Sequence, residues 1–145
     1  MYTLDASVWV NGFDRKEPGA NTTRQLLQLL AEQSRPIIIP NLALVEVAGS
    51  VSRTRRRPAK AVAFVDTIAR LPHVTVVPLT AELAEAAAQL AARHALRGGD
   101  AVYAAVALAA GCTLVSLDGE HLTRLRSVVP TLTPTAALEL VQQNS

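Results

Sequence analysis

Four carboxylates in this 145-residue chain stand where solubility alone does not account for them. Asp5 follows the apolar opening Tyr2–Leu4, and Asp118 follows the apolar run Thr113–Leu117. Glu46 is embedded in Leu42-Ala43-Leu44-Val45-Glu46-Val47-Ala48, and Asp100 comes straight after Gly98-Gly99. Taken singly, each has an ordinary explanation. Asp5 and Asp100 suit helix N-caps, and Asp118-Gly119 is a common turn pair. Glu46 either occupies one polar edge of its helix or is buried at a cost of several kcal/mol. Taken together, the four make an all-oxygen cluster. Carboxylates about 4–6 Å apart repel by a few kcal/mol per pair at an effective dielectric near 20, so cations or protons must hold them together. Oxygen donors without His or Cys favour a hard ion, Mg²⁺ or Mn²⁺.

A fold must then bring four distant positions together. Short apolar runs at Tyr2–Leu4, Pro36–Ile39, Val74–Val77, Thr113–Leu117 and, more weakly, Val128–Leu132 read as buried strands. Between them, Thr22–Gln33, the pair Asn41–Val51 and Ala59–Leu71, Ala81–Leu96, Ala101–Ala110 and Pro134–Gln143 read as helices. Gly98-Gly99 reads as the stop of the helix before it. This alternation predicts an α/β three-layer sandwich, with a mainly parallel sheet of about five strands flanked by helices. Ligands in such sheets bind at the carboxyl ends of the strands, where strand order reverses. If the first and fourth strands are neighbours there, Asp5 and Asp118 face each other across the crevice.

Composition narrows the class. Hydrophobic residues make up 50% and charged residues 18%, which excludes wholesale disorder. The length fits one domain over residues 1–145. A single cysteine, Cys112, closes no internal disulfide and anchors no cysteine-based metal site. No signal peptide is evident, and the longest uncharged stretch, between Asp100 and Asp118, is shorter than the roughly 20 apolar residues a membrane span needs. A cytoplasmic protein without membrane contact is expected.

In these motifs the sequence resembles the PIN-domain nucleases, and more narrowly the VapC-type toxins of toxin–antitoxin pairs. Leu4-Asp5-Ala6-Ser7, Glu46 in its apolar helix, Gly98-Gly99-Asp100-Ala101 and Ser116-Leu117-Asp118 carry the resemblance, which spans essentially the whole chain. It implies that Asp5, Glu46, Asp100 and Asp118 are the catalytic, metal-binding acids, with Ser7 and Ser116 supporting them. It implies Mg²⁺-dependent endoribonuclease activity, with Mn²⁺ as a substitute, on an RNA substrate. A VapB-type antitoxin and a homodimer are the implied partners. After Asp118 the chain departs from the pattern, reading Gly119-Glu120-His121-Leu122, and only Glu120 is a candidate fifth ligand. Other readings are a housekeeping PIN-domain RNase of ribosomal or transfer RNA processing, a phosphoacceptor signalling domain and a non-catalytic RNA-binding domain. The second wants a lysine after the last strand, and Lys16 and Lys60 are both far from there.

Arg53, Arg55, Arg56, Arg57 and Lys60 form a basic cluster. It reads either as a solvated helix end or as a set of phosphate contacts, for which Arg53, Arg56 and Arg57 are the candidates. Arg53 lies two turns beyond Glu46 and shares its face if Gly49-Ser50 leaves the helix unbroken. His73, His94 and His121 show no paired ligand spacing and read as surface residues; Trp9 and Tyr103 read as core or interface residues.

Overall fold

The most apolar short runs of the chain become its strands. In the computed structural model, which describes residues 1–144 and so leaves only Ser145 outside, the elements are β1 (Tyr2–Leu4), α1 (Ala6–Phe13), α2 (Ala20–Glu32), β2 (Ile37–Pro40), α3 (Asn41–Arg55), α4 (Pro58–Arg70), β3 (Val74–Val77), α5 (Ala81–His94), α6 (Gly98–Ala110), β4 (Thr113–Val115), α7 (Gly119–Leu125), β5 (Thr131–Leu132) and α8 (Pro134–Gln143). The five strands form one parallel sheet in the order β3-β2-β1-β4-β5. This is the expected α/β architecture. Strand order reverses between β1 and β4, the two strands expected to be neighbours, with Leu4 in register with Val115.

β1, β2 and β4 are largely buried, as continuous apolar strands covered on both faces must be. Leu4, Ile37, Ile39, Leu114 and Val115 form the heart of the core with Leu26, Leu30, Val47 and Tyr103. Helix α6 lies against β1, β2 and β4, and α5 packs on α6. Helices α8, α2, α1, α3 and α4 pack in that order, each on the next. No helix among the described residues is long and apolar enough to cross a membrane.

Three local expectations need correction. Helix α5 ends before the glycines: Ala95 takes the left-handed closing position at φ 52°, and Gly98 and Gly99 instead open α6. Helix α3 runs unbroken through Gly49-Ser50 to Arg55. Asp118-Gly119 is not a bare turn but the start of α7, a helix that the short run after Asp118 does not announce.

Candidate active site

Because β1 and β4 are adjacent and in register, the residues that follow them meet. The Asp5 amide donates to the Val115 carbonyl at 3.2 Å, tying the two strand ends together. Asp5 is 5% exposed, and its side chain is surrounded by donors. Its Oδ1 accepts from the Ser7 hydroxyl and, at 3.4 Å, from the Val8 amide, so Asp5 also caps α1. Its Oδ2 accepts from the Ser116 hydroxyl and stands 3.1 Å from His121 Nδ1. Hydrogen bonds to charged groups contribute about 1.5–3 kcal/mol each, and such a set accounts for a carboxylate in the core. Both serines reach further: the Leu117 amide donates to Ser7 Oγ at 3.1 Å and the Asp118 amide to Ser116 Oγ at 3.0 Å.

The other three acids come to the same end of the sheet by different routes. Asp118 is the N-cap of α7, its Oδ1 accepting from the amides of Glu120 at 2.9 Å and His121 at 3.3 Å. Asp100 sits in the first turn of α6, where the N-cap position belongs to Arg97. Its Oδ1 is 3.7 Å from His121 Nε2. Burial, the charge of Asp118 and the charge of Asp5 all raise the Asp100 pKa, and outweigh the lowering by His121 and Arg97.

Glu46 projects from α3 toward the start of α6. Its Oε2 accepts a 2.7 Å hydrogen bond from the Tyr103 hydroxyl, which in turn accepts from the Ala6 amide at 3.2 Å. Burial, that hydrogen bond and the nearby charges of Glu46 and Asp5 all push the Tyr103 pKa up, so the phenol remains a donor. Glu46 Oε1 lies so close to Gly99 that a Cβ there would stand 2.8 Å from it. Gly99 is thus a packing glycine, and it places the positive end of α6 against a carboxylate.

His121 is the residue that the sequence misplaces. It is 3% exposed, not a surface histidine, and it stands between Asp5 and Asp100. Burial lowers its pKa, but the hydrogen bond with Asp5 and the charges of Asp100 and Asp5 more than offset this, and the net shift is upward. Its Nε2 is buried without a hydrogen-bond partner. A signal exists in the spacing: His121 and Leu125, one turn apart, are the buried residues of α7. Tyr103 is buried as expected, yet its hydroxyl serves Glu46 rather than the core alone. Glu120 is exposed and pairs with Arg97 at 3.6 Å and Arg124 at 3.4 Å.

The oxygen donors here, the carboxylates of Asp5, Glu46, Asp100 and Asp118, suit a hard divalent cation. As placed, no three or more His, Cys, Asp or Glu side chains among the described residues form a group able to hold a metal ion. The fit is one of chemistry and location, not of preassembled ligand geometry.

A model of the PIN domain matches residues 2–127. The chain belongs to the PIN domain family. Solved PIN-like structures agree in fold. Mycobacterium tuberculosis VapC20, described as a sarcin-ricin loop cleaving toxin, superposes with a TM-score of 0.71 at 23% identity, covering 85% of this chain and 94% of that one. A protein of Pyrobaculum aerophilum gives 0.71 at 20% identity, over 98% of this chain and 96% of that one. VapBC2 of Rickettsia felis, solved on a fragment of its promoter DNA, gives 0.68 at 17% identity, over 91% and 97%. At these identities the likeness is one of fold. No curated protein matches the chain in sequence.

The candidate phosphate contacts separate in space. Arg53 lines a groove together with Glu46, Arg57 lines a neighbouring concavity, and Arg56, the left-handed cap of α3, lines neither.

Proposed function

We propose that this PIN domain is a divalent-metal-dependent endoribonuclease, the VapC-type toxin of a toxin–antitoxin pair, with Mg²⁺ as its ion and Mn²⁺ as a substitute. One observation carries the reading: where strand order reverses, buried Asp5 is linked through Ser116 to the Asp118 backbone and through His121 to Asp100, while Glu46 is tied through Tyr103 to Ala6, next to Asp5. Family membership and the structural neighbour described as a sarcin-ricin loop cleaving toxin support it. A VapB-type antitoxin is the proposed partner, supported by the VapBC complexes among the structural neighbours, and a homodimer the proposed assembly.

Asp5, Glu46, Asp100 and Asp118 are the residues proposed to hold the ion. When bound, a divalent ion supplies positive charge at the phosphate and makes water a better nucleophile near neutral pH. The chain's own residues prepare that place. Ser7 and Ser116 fix the Asp5 carboxylate by donating to both of its oxygens. Tyr103 fixes Glu46 through Oε2 and leaves Oε1 toward the start of α6. Asp118 uses Oδ1 to cap α7. No nucleophilic serine or cysteine paired with a histidine is needed, because water does the attacking.

The test is cleavage of RNA by the purified chain with Mg²⁺, against EDTA and against Asp5→Asn. Cleavage that vanishes in both controls is expected; cleavage unchanged in both would overturn the proposal.

A further inference from the structure

A groove of about 830 Å³ opens beside the carboxylates, between α1 and α3. Its near end is the site itself: Ser7, which holds Asp5, then Glu46, and Leu117, which precedes Asp118. Because α3 is unbroken, Arg53 lies two turns beyond Glu46 and on its face, and it lines the same groove. The guanidinium does not extend away from the site. It folds back over Gly49, where a Cβ would stand 3.2 Å from Arg53 Nη1. That brings its charge to about one turn, ~5.4 Å, from the level of Glu46 along the helix axis. Glycine is disfavoured in the middle of a helix, and the return path of Arg53 gives it a reason here.

Arg53 is also the arginine left unengaged there. Arg55, two residues on, is ion-paired with Asp14, and Arg70, Arg97 and Arg124 each face a carboxylate. Among the described residues Arg53 has neither an ion pair nor a hydrogen bond, although Glu17 borders the groove elsewhere. Thr54 then joins the groove to a second concavity of about 460 Å³, lined by Arg57 and Lys60. The path therefore runs from clustered carboxylates to one unpaired guanidinium and on to a more basic hollow. A polyanion follows such a path with its phosphates on the cations, and exposed Val45 and Leu117 beside the acids offer aliphatic surface to bases.

We propose that Arg53 is a positioning residue for a single RNA strand, holding a backbone phosphate one or two nucleotides from the cleaved bond, with Arg57 and Lys60 taking phosphates farther along. This rests on the ribonuclease reading. It names the path of the substrate and the residue that sets its register. Arg56 has no part in it, and Gly49 acts by leaving room for Arg53.

The wild-type chain with Mg²⁺ first maps a cut in an RNA transcript. An oligoribonucleotide centred on that cut is then made as a series, each member carrying one neutral methylphosphonate. For the wild type, one position next to the cut should raise KM roughly tenfold, while kcat changes little. Arg53→Ala should raise KM for the unmodified strand by a similar factor and show no further penalty at that position. Arg53→Lys should recover part of the loss, Gly49→Ala should weaken the same contact, and Arg56→Ala should change nothing. Arg53 is exposed, so its variants keep the fold. If Arg53→Ala leaves both KM and the methylphosphonate profile as in the wild type, the assignment is overturned although cleavage persists. The same holds if it spares RNA but abolishes inhibition by a protein partner, which would give the groove to that partner. A wild-type chain that cuts no RNA overturns the ribonuclease reading, and this assignment with it.

Discussion

His121 Nδ1 stands 3.1 Å from Asp5 Oδ2, and Nε2 of the same ring lies 3.7 Å from Asp100 Oδ1. One buried imidazole thus touches a carboxylate that follows β1 and approaches another in the first turn of α6. Two acids approaching in a medium of low dielectric repel unless something positive stands between them. The His121 ring stands in that place, and its hydrogen bond with Asp5 and the charges of Asp100 and Asp5 push its pKa up against the effect of burial.

Replacing this ring should be costly. His121→Leu leaves Asp5 with one donor fewer and its repulsion with Asp100 uncompensated, and we expect a loss of about 3 kcal/mol in stability. His121→Gln keeps a donor for Asp5 and should lose less. Urea denaturation of the three proteins measures both, and Mg²⁺ should restore more stability to the leucine variant than it adds to the wild type. Equal stability of all three would contradict the role of the ring.

The same pair of groups sets a pH dependence for metal-stripped protein. The folded-state pKa of His121 is raised above 6.5, and that of Asp100 above 3.8. A group whose folded pKa exceeds its unfolded one contributes stability that is complete below the unfolded value and is lost as pH rises through the folded value. In EDTA, the denaturation midpoint should therefore fall as pH rises from 6.5 through the raised folded-state value of His121, and His121→Gln should flatten that fall. A midpoint that rises as pH increases above 6.5 would refute the sign.

Much of this was legible in the residue string, for physical reasons. Short apolar runs make the strands, so β1 and β3 appear with their observed limits, and Asp5 stands out as a charge directly after the buried β1. That Asp5 and Asp118 come to the same sheet edge follows from β1 beside β4. What stays hidden depends on contacts between elements. Helix α7 is short, opens with glycine and follows an acid that also suits a turn. The burial of His121 is decided by Asp5, which is remote in sequence, and its one-turn spacing to Leu125 signals an inward face without naming that partner. The hydroxyl of Tyr103 looks like the polar tip of a core residue until α3 places Glu46 against it.

Tyr103→Phe isolates that last contact. The ring still fills its place, but Glu46 Oε2 loses its donor and the Ala6 amide loses its acceptor. We expect about 1–3 kcal/mol of destabilisation. Partners that orient metal-binding side chains typically matter by about 10–100-fold, so Mg²⁺ affinity measured by calorimetry should fall within that range. Unchanged affinity would make Tyr103 a core residue and nothing more.

The two glycines before Asp100 offer the sharpest comparison, because they are adjacent and the structure treats them differently. A Cβ on Gly98 meets nothing within 4 Å, whereas one on Gly99 would stand 2.8 Å from Glu46 Oε1. Both lie in the first turn of α6, where backbone cost is shared and neither has a positive φ. Gly98→Ala should therefore behave as the wild type in stability and RNA cleavage. Gly99→Ala must push Glu46 away from the positive end of α6, and cleavage should drop roughly tenfold or more, with stability changed by about 1 kcal/mol or less. Measuring kcat and the denaturation midpoint for the pair separates displacement of one carboxylate from general damage to the helix. Equal effects of the two substitutions would show that Gly99 serves the helix start and not the position of Glu46.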